Sequence, residues 1–147
     1  MEIAPTPDRR HPWGDAATPY EELGSDDGVR ALVEAFYNMI EAESPVLRAM
    51  LPNNTSTSRQ KLYEFLSGWL GGPPLYMERR GHPRLRMRHL PFDIGSFEAR
   101  EWMRCMMKAL ESVGAGAQLS AFLQTELGRT AEGMRNRPDP GVIVPSA

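Results

Sequence analysis

The chain has 147 residues, of which 41% are hydrophobic and 24% charged, with a net charge of −2 and one cysteine, Cys105. That length suits one domain with a sizeable core, and the acidic balance argues against nucleic acid as a partner, since phosphate binding needs a basic surface. One cysteine permits no internal disulfide, no apolar run nears the roughly 20 residues of a membrane span, and the first residues lack a hydrophobic signal region; the expected setting is cytoplasmic and away from the membrane.

Residues 1–18 carry Pro5, Pro7, His11, Pro12 and Trp13 without periodicity and read as a flexible extension. Ser25-Asp26-Asp27 caps a first long helix, in which Val29, Leu32, Val33, Phe36, Tyr37 and Ile40 recur at helical spacing. Pro45 starts a short turn over residues 46–51 that ends at Pro52. Thr55-Ser56-Thr57-Ser58 supplies hydroxyl caps for a second helix with Leu62, Phe65, Leu66 and Trp69 on one face. Gly71-Gly72 then Pro73-Pro74 stop it, glycine as a left-handed cap and proline because it cannot continue the ladder. The weakly periodic segment 75–85 reads as an ordered loop.

Ser96 is placed to cap a third helix whose buried stripe is Ala99, Trp102, Met103, Met106, Met107 and Leu110, broken by Gly114 and Gly116. A fourth, about 118–135, buries Leu119, Phe122, Leu123, Leu127 and Met134, and residues 137–147 form a second tail. The domain proper is therefore 19–136, and the fold class is all-α, with four main helices and no strand-like alternation.

The most informative stretch is Gly81-His82-Pro83-Arg84-Leu85-Arg86-Met87-Arg88-His89-Leu90-Pro91-Phe92. His89 ends a short basic helical turn stopped by Pro91. One imidazole cannot hold a bare zinc ion, which takes about four ligands. It is enough for a haem, where the porphyrin supplies the equatorial nitrogens. A metal-dependent hydrolase is set aside because no HExxH or paired His/Cys spacing accompanies Glu78 and Asp93.

An isolated histidine is ordinarily a packing or solvated residue. His82, before a proline, reads as a turn residue, and His11 as inert. Cys105 and the methionines of the third helix read as core.

These residues match a family. Phe36-Tyr37, Gly71-Gly72-Pro73-Pro74-Leu75-Tyr76, the run from Gly81 to Phe92, and Trp102-Met103-Arg104-Cys105-Met106, with the tryptophan 13 positions past His89, resemble a group II truncated haemoglobin from about Tyr20 to Arg135. The resemblance implies a two-over-two helical sandwich, a shortened globin, holding haem b on His89 as the proximal ligand. Helices crossing near 50° leave a wedge in which globins seat the cofactor.

On the distal side the resemblance implies Tyr37 and Trp102 as donors to a bound diatomic ligand; the plain alternatives are a core tyrosine bonded to backbone and a large core filler. Before Pro52, where the family commonly has an aromatic residue, stands Leu51, which removes a third donor. Ser58 is near the distal gate, or else bonds its own helix. Contact with the cofactor is implied for Phe36, Pro52, Lys61, Leu62, Phe65, Leu66, Tyr76, Arg86, Met87, Phe92, Ile94 and Met106, with Lys61, Tyr76 and Arg86 as propionate partners.

The function implied is binding of dioxygen, carbon monoxide and nitric oxide at a five-coordinate iron, with nitric oxide dioxygenation if an external reductase serves it. The expected assembly is a monomer or homodimer. A peroxidase-like haem protein and a haem-free helical interaction protein are the alternatives, the latter separated by the lack of a Soret band.

Overall fold

The computed structural model describes residues 11–138. In chain order its helices are α1 (Pro19–Leu23), α2 (Ser25–Glu43), α3 (Pro45–Ala49), α4 (Ser56–Trp69), α5 (Leu75–Arg80), α6 (Leu85–His89), α7 (Ser96–Ser112) and α8 (Ala117–Gly133). The four long ones fall where the apolar periodicity predicts helices. α2 packs on α4 and α7, and α7 packs on α8, giving two layered pairs joined along α2 and α7. The seam is fully buried: Val29, Leu32 and Phe36 from α2 meet Cys105, Met106, Ala109 and Leu110 from α7 and Leu119 and Leu123 from α8. Each such leucine or phenylalanine contributes about 1.5–3 kcal/mol. No helix among the described residues is long and apolar enough to cross a membrane.

Helix starts differ from the expected caps, each for a local reason. Ser25 does not cap α2, because Gly24 (φ 112°) both ends α1 and caps α2, leaving Ser25 inside the helix at φ 60°. Asp26 turns instead to Arg30 (2.8 Å) and to the Tyr63 hydroxyl of α4. At α4 the Thr55 hydroxyl accepts from Arg59 Nε (2.9 Å), and Asn54 Oδ1 takes the Ser56 N–H (2.9 Å) in its place. At α7 the cap position is Gly95, whose N–H donates to the Glu98 carboxylate (2.7 Å), with Ser96 the first helical residue.

The glycine stop after α4 is as expected. Gly71 is left-handed at φ 98°, and the Gly72 N–H returns to the Ser67 carbonyl (2.8 Å). Gly72 is also required sterically, since a Cβ there would stand 2.4 Å from the Tyr20 ring.

The expected loop over 75–85 contains α5. Its six residues are too few to show periodicity. Tertiary contacts hold it: Tyr76 is buried, and Arg79 (3.2 Å) and Arg80 (2.5 Å) clasp Glu64 of α4.

Residues 1–10 of the expected extension and 139–147 of the expected tail lie outside the described residues. The nearer parts are not free of the domain. Trp13 donates its indole N–H to the Ala16 carbonyl (2.8 Å) and meets Phe122 edge-on at 5.2 Å, while His11, expected to be inert, stacks on Trp13 at 4.6 Å. Ala16 N–H is taken by Glu22 (3.0 Å), and Thr18 caps α1 through Glu21 N–H (3.1 Å). At the other end the Arg137 N–H reaches the Ile94 carbonyl (3.1 Å) and its guanidinium pairs with Asp93. The polar composition of both segments hid these anchors.

Glu64, only 2% exposed, is held by more than burial. Desolvation alone raises its pKa, but hydrogen bonds from Arg80, Gln60 and Arg79 outweigh it and bring the carboxyl down to about 2. A folded pKa below the unfolded one means stability gained in full above about pH 4.5 and lost as pH falls towards 2. Glu64→Gln is therefore expected to cost roughly 2–3 kcal/mol in urea denaturation at pH 7. The gap between variant and parent should narrow steadily below pH 4.5; a gap constant with pH would rule out the charge as its source.

Candidate functional site

A cavity of about 640 Å³ opens where α2 and α4 face α6, α7 and α8. That is within the range of small-molecule and cofactor sites. Its wall is mainly apolar, with Ile40, Leu62, Phe65, Leu66, Ile94 and Leu127 contributing.

One histidine lines it. His89 is the last residue of α6, half-buried, with its Nδ1 2.6 Å from the Leu85 carbonyl one turn earlier. A carbonyl only accepts, so Nδ1 carries the proton and Nε2 keeps a free lone pair. The turn that launches α6 is fixed by Arg84 in the left-handed region (φ 46°), whose N–H donates to His82 Nδ1 (3.1 Å). His82 is thus the turn residue its position before Pro83 predicts. Among the described residues no group of three or more His, Cys, Asp or Glu side chains is placed to hold a metal ion.

Two unsatisfied donors also line the cavity. Tyr37 of α2 is 7% exposed, and among the described residues its hydroxyl has no hydrogen-bond partner. Trp102 of α7 likewise has no acceptor for its indole N–H. Phe36 separates them, its ring edge-on to Tyr37 at 5.4 Å and to Trp102 at 5.1 Å. Neither donor has a protein acceptor and both residues line a mainly apolar cavity, so each is available to an acceptor brought by a guest molecule. Burial pushes the Tyr37 hydroxyl up to about 12, against the opposing pull of the Arg59 guanidinium 5.2 Å from its ring. It stays protonated, and a donor, throughout the neutral range.

Of the residues singled out in the sequence, Phe36, Tyr37, Leu51, Ser58, Lys61, Leu62, Phe65, Leu66, Tyr76, His89, Phe92, Ile94 and Trp102 line this cavity. The Ser58 hydroxyl makes no bond to its own helix. Four do not line it. Pro52 is exposed, with its carbonyl taken by Arg48 (3.1 Å). Arg86 points away and donates to the carbonyls of Gly133 (2.8 Å) and Arg135 (3.2 Å). Met87 is 53% exposed on the outer face of α6, and Met106 is sealed in the core between the layers.

Arg88 stands at the cavity where Arg86 was expected. The reason is helical phase: Leu85, Arg88, His89 and Phe92 share the inner face, and residues 86 and 87 fall opposite. Leu127 and Met134, read as buried residues of the fourth helix, also line the cavity, together with Thr130 and Ala131 at the intervening i+3 and i+4 positions. Ala99, read as part of the third helix's buried stripe, lines it too, whereas Leu47, Met50 and Glu98 had no local signal.

The arrangement suits a flat apolar cofactor bearing acidic groups. His89 would offer a nitrogen ligand, the greasy walls would accept a macrocycle, and Lys61 and Arg88 would supply cations able to bond carboxylates. Lys61 has no ion pair among the described residues.

Comparison with known proteins agrees with this geometry. Residues 18–136 match the family described as Bacterial-like globin. The group 2 truncated hemoglobin YjbI of Bacillus subtilis is 40% identical over 121 residues, spanning 82% of this chain and 90% of that protein. Among solved structures, the group II truncated hemoglobin from Bacillus anthracis has a TM-score of 0.81 at 36% identity, covering 84% of this chain and all of that one (100%). A truncated oxygen-avid haemoglobin from Bacillus subtilis has a TM-score of 0.76 at 40% identity, covering 81% and 99%.

Ionisation of Tyr37 provides a check on its burial. In a titration of ring-labelled tyrosine followed by NMR, the signal lost in Tyr37→Phe is expected to have a midpoint near 12. A midpoint at the ordinary value of 10 would place the hydroxyl in water.

Proposed function

This chain belongs to the bacterial-like globin family, among the group II truncated haemoglobins, and from that premise we propose that it reversibly binds dioxygen, carbon monoxide and nitric oxide at haem b held by His89 alone. Family membership makes it a haem-based oxygen-binding globin. Held by His89, the haem would supply an iron able to bind a diatomic gas. The observation that carries the finer reading is the His89 Nδ1–H bond to Leu85 O, which turns a free Nε2 lone pair to a cavity lined also by two unpaired donors.

Each residue then has a distinct task. His89 ligates, and its bond to Leu85 O fixes the tautomer and raises the ring's basicity. Tyr37 and Trp102 donate to a partly anionic diatomic guest, and Phe36 holds the two apart. Leu51 lines the same cavity without a polar atom, so it adds no donor there. Ser58, small and without a hydrogen bond, lines the cavity and would leave room for a ligand to enter. Lys61, Arg88 and the Tyr76 hydroxyl take the propionates. Turnover of nitric oxide to nitrate would draw its electrons from an external reductase.

His89→Ala is expected to abolish the Soret absorption of the reconstituted protein; a retained histidine-type ferrous spectrum would refute the ligand assignment. Tyr37→Phe combined with Trp102→Phe should speed dioxygen release about tenfold or more in stopped-flow, the scale of one or two lost hydrogen bonds to a charged acceptor. Unchanged release would show that neither donor meets the guest. A full-length parent protein with no Soret band after haemin addition would leave only the haem-free reading standing.

A further inference from the structure

His89 is gripped from outside its own helix. α6 has five residues, too few to hold an orientation by itself, and it is not among the helix pairs that pack extensively. The grip comes from residues just past the end of α8. Asn136 Nδ2 donates to the carbonyls of His89 (3.3 Å) and Phe92 (2.8 Å). Its Oδ1 accepts the Ile94 N–H (2.9 Å), and its own N–H, like that of Arg137, donates to the Ile94 carbonyl (2.8 and 3.1 Å). Arg86 ties the same two segments in the opposite direction, from α6 to the carbonyls of Gly133 and Arg135.

One primary amide thus bridges three points of the stretch that leaves the imidazole. Only an amide does this: a carboxylate keeps the acceptor but loses both donors, and an aliphatic side chain loses everything. His89 and Phe92 both line the cavity, so the amide sets the imidazole and the Phe92 ring relative to each other and to α8. We infer that Asn136 is a positioning residue for the proximal imidazole, fixing through the His89 and Phe92 carbonyls where the ligating ring stands. This rests on the reading of His89 as the haem ligand and adds to it a residue remote from the cavity.

The test uses the full-length holoprotein. Asn136→Asp has the size of the native side chain but turns two donated bonds into oxygen–oxygen repulsion. It is expected to shift or broaden the iron–histidine stretching band in resonance Raman spectra of the reduced, ligand-free protein, and to speed haem transfer to apomyoglobin about tenfold. Arg137→Ala, which removes an exposed ion pair to Asp93, should leave both readouts unchanged. If Asn136→Asp fails to fold, Arg86→Gln probes the same strap and is expected to move the band in the same sense by a smaller amount. A variant that loses thermal stability while band and transfer rate stay at parental values would overturn the inference and leave the His89 assignment intact. A parent lacking any iron–histidine band would overturn the assignment itself, and this inference with it.

Discussion

The 2.6 Å hydrogen bond between His89 Nδ1 and the Leu85 carbonyl decides which nitrogen the cavity meets. Without it the imidazole can take either tautomer and swing about its side-chain torsions. With it, one lone pair is presented in one direction. The bond exists because α6 is helical for one turn, which places residue 85 beneath residue 89. That turn exists because Arg84 accepts a left-handed backbone and the chain stops soon after at Pro91. A five-residue helix is therefore the smallest unit able to aim this side chain.

The opposite wall is organised by what it leaves unpaired. Tyr37 and Trp102 each bring a donor without a protein partner to the cavity. The core lies instead between α2 and α7, where Phe36, Cys105 and Met106 are sealed from solvent. Packing is concentrated in the seam, while the cavity wall is mainly apolar with a few polar side chains set into it.

The long helices were legible because their apolar residues repeat over several turns, and His89, Tyr37 and Trp102 because the Gly81–Phe92 run and the tryptophan beyond it form a specific pattern. What escaped was short or relational. α5 is defined by a clasp from Glu64 rather than by periodicity, while Asp26 of α2 is taken by Tyr63 of α4 and the Thr55 hydroxyl by Arg59 one turn into its own helix. Arg86 was chosen over Arg88 because charge was read without helical phase, which places Arg86 on the outside. Asn136 gave no signal at all: a lone asparagine after a helix has nothing local to mark that its amide spans three points some forty residues earlier.

The seating of Trp13 on Phe122 bears on how the chain is handled as material. Trimming it to the start of its first helix would strip an indole from the outside of α8 and leave a phenylalanine ring bare to water, a greasy spot that favours self-association. A shortened version that clumps during purification would thus be reporting on a missing lid over α8, not on the gas-binding chamber. Fusion partners attached ahead of residue 11 spare that contact, so the natural boundary for engineering lies earlier than helix content alone would place it.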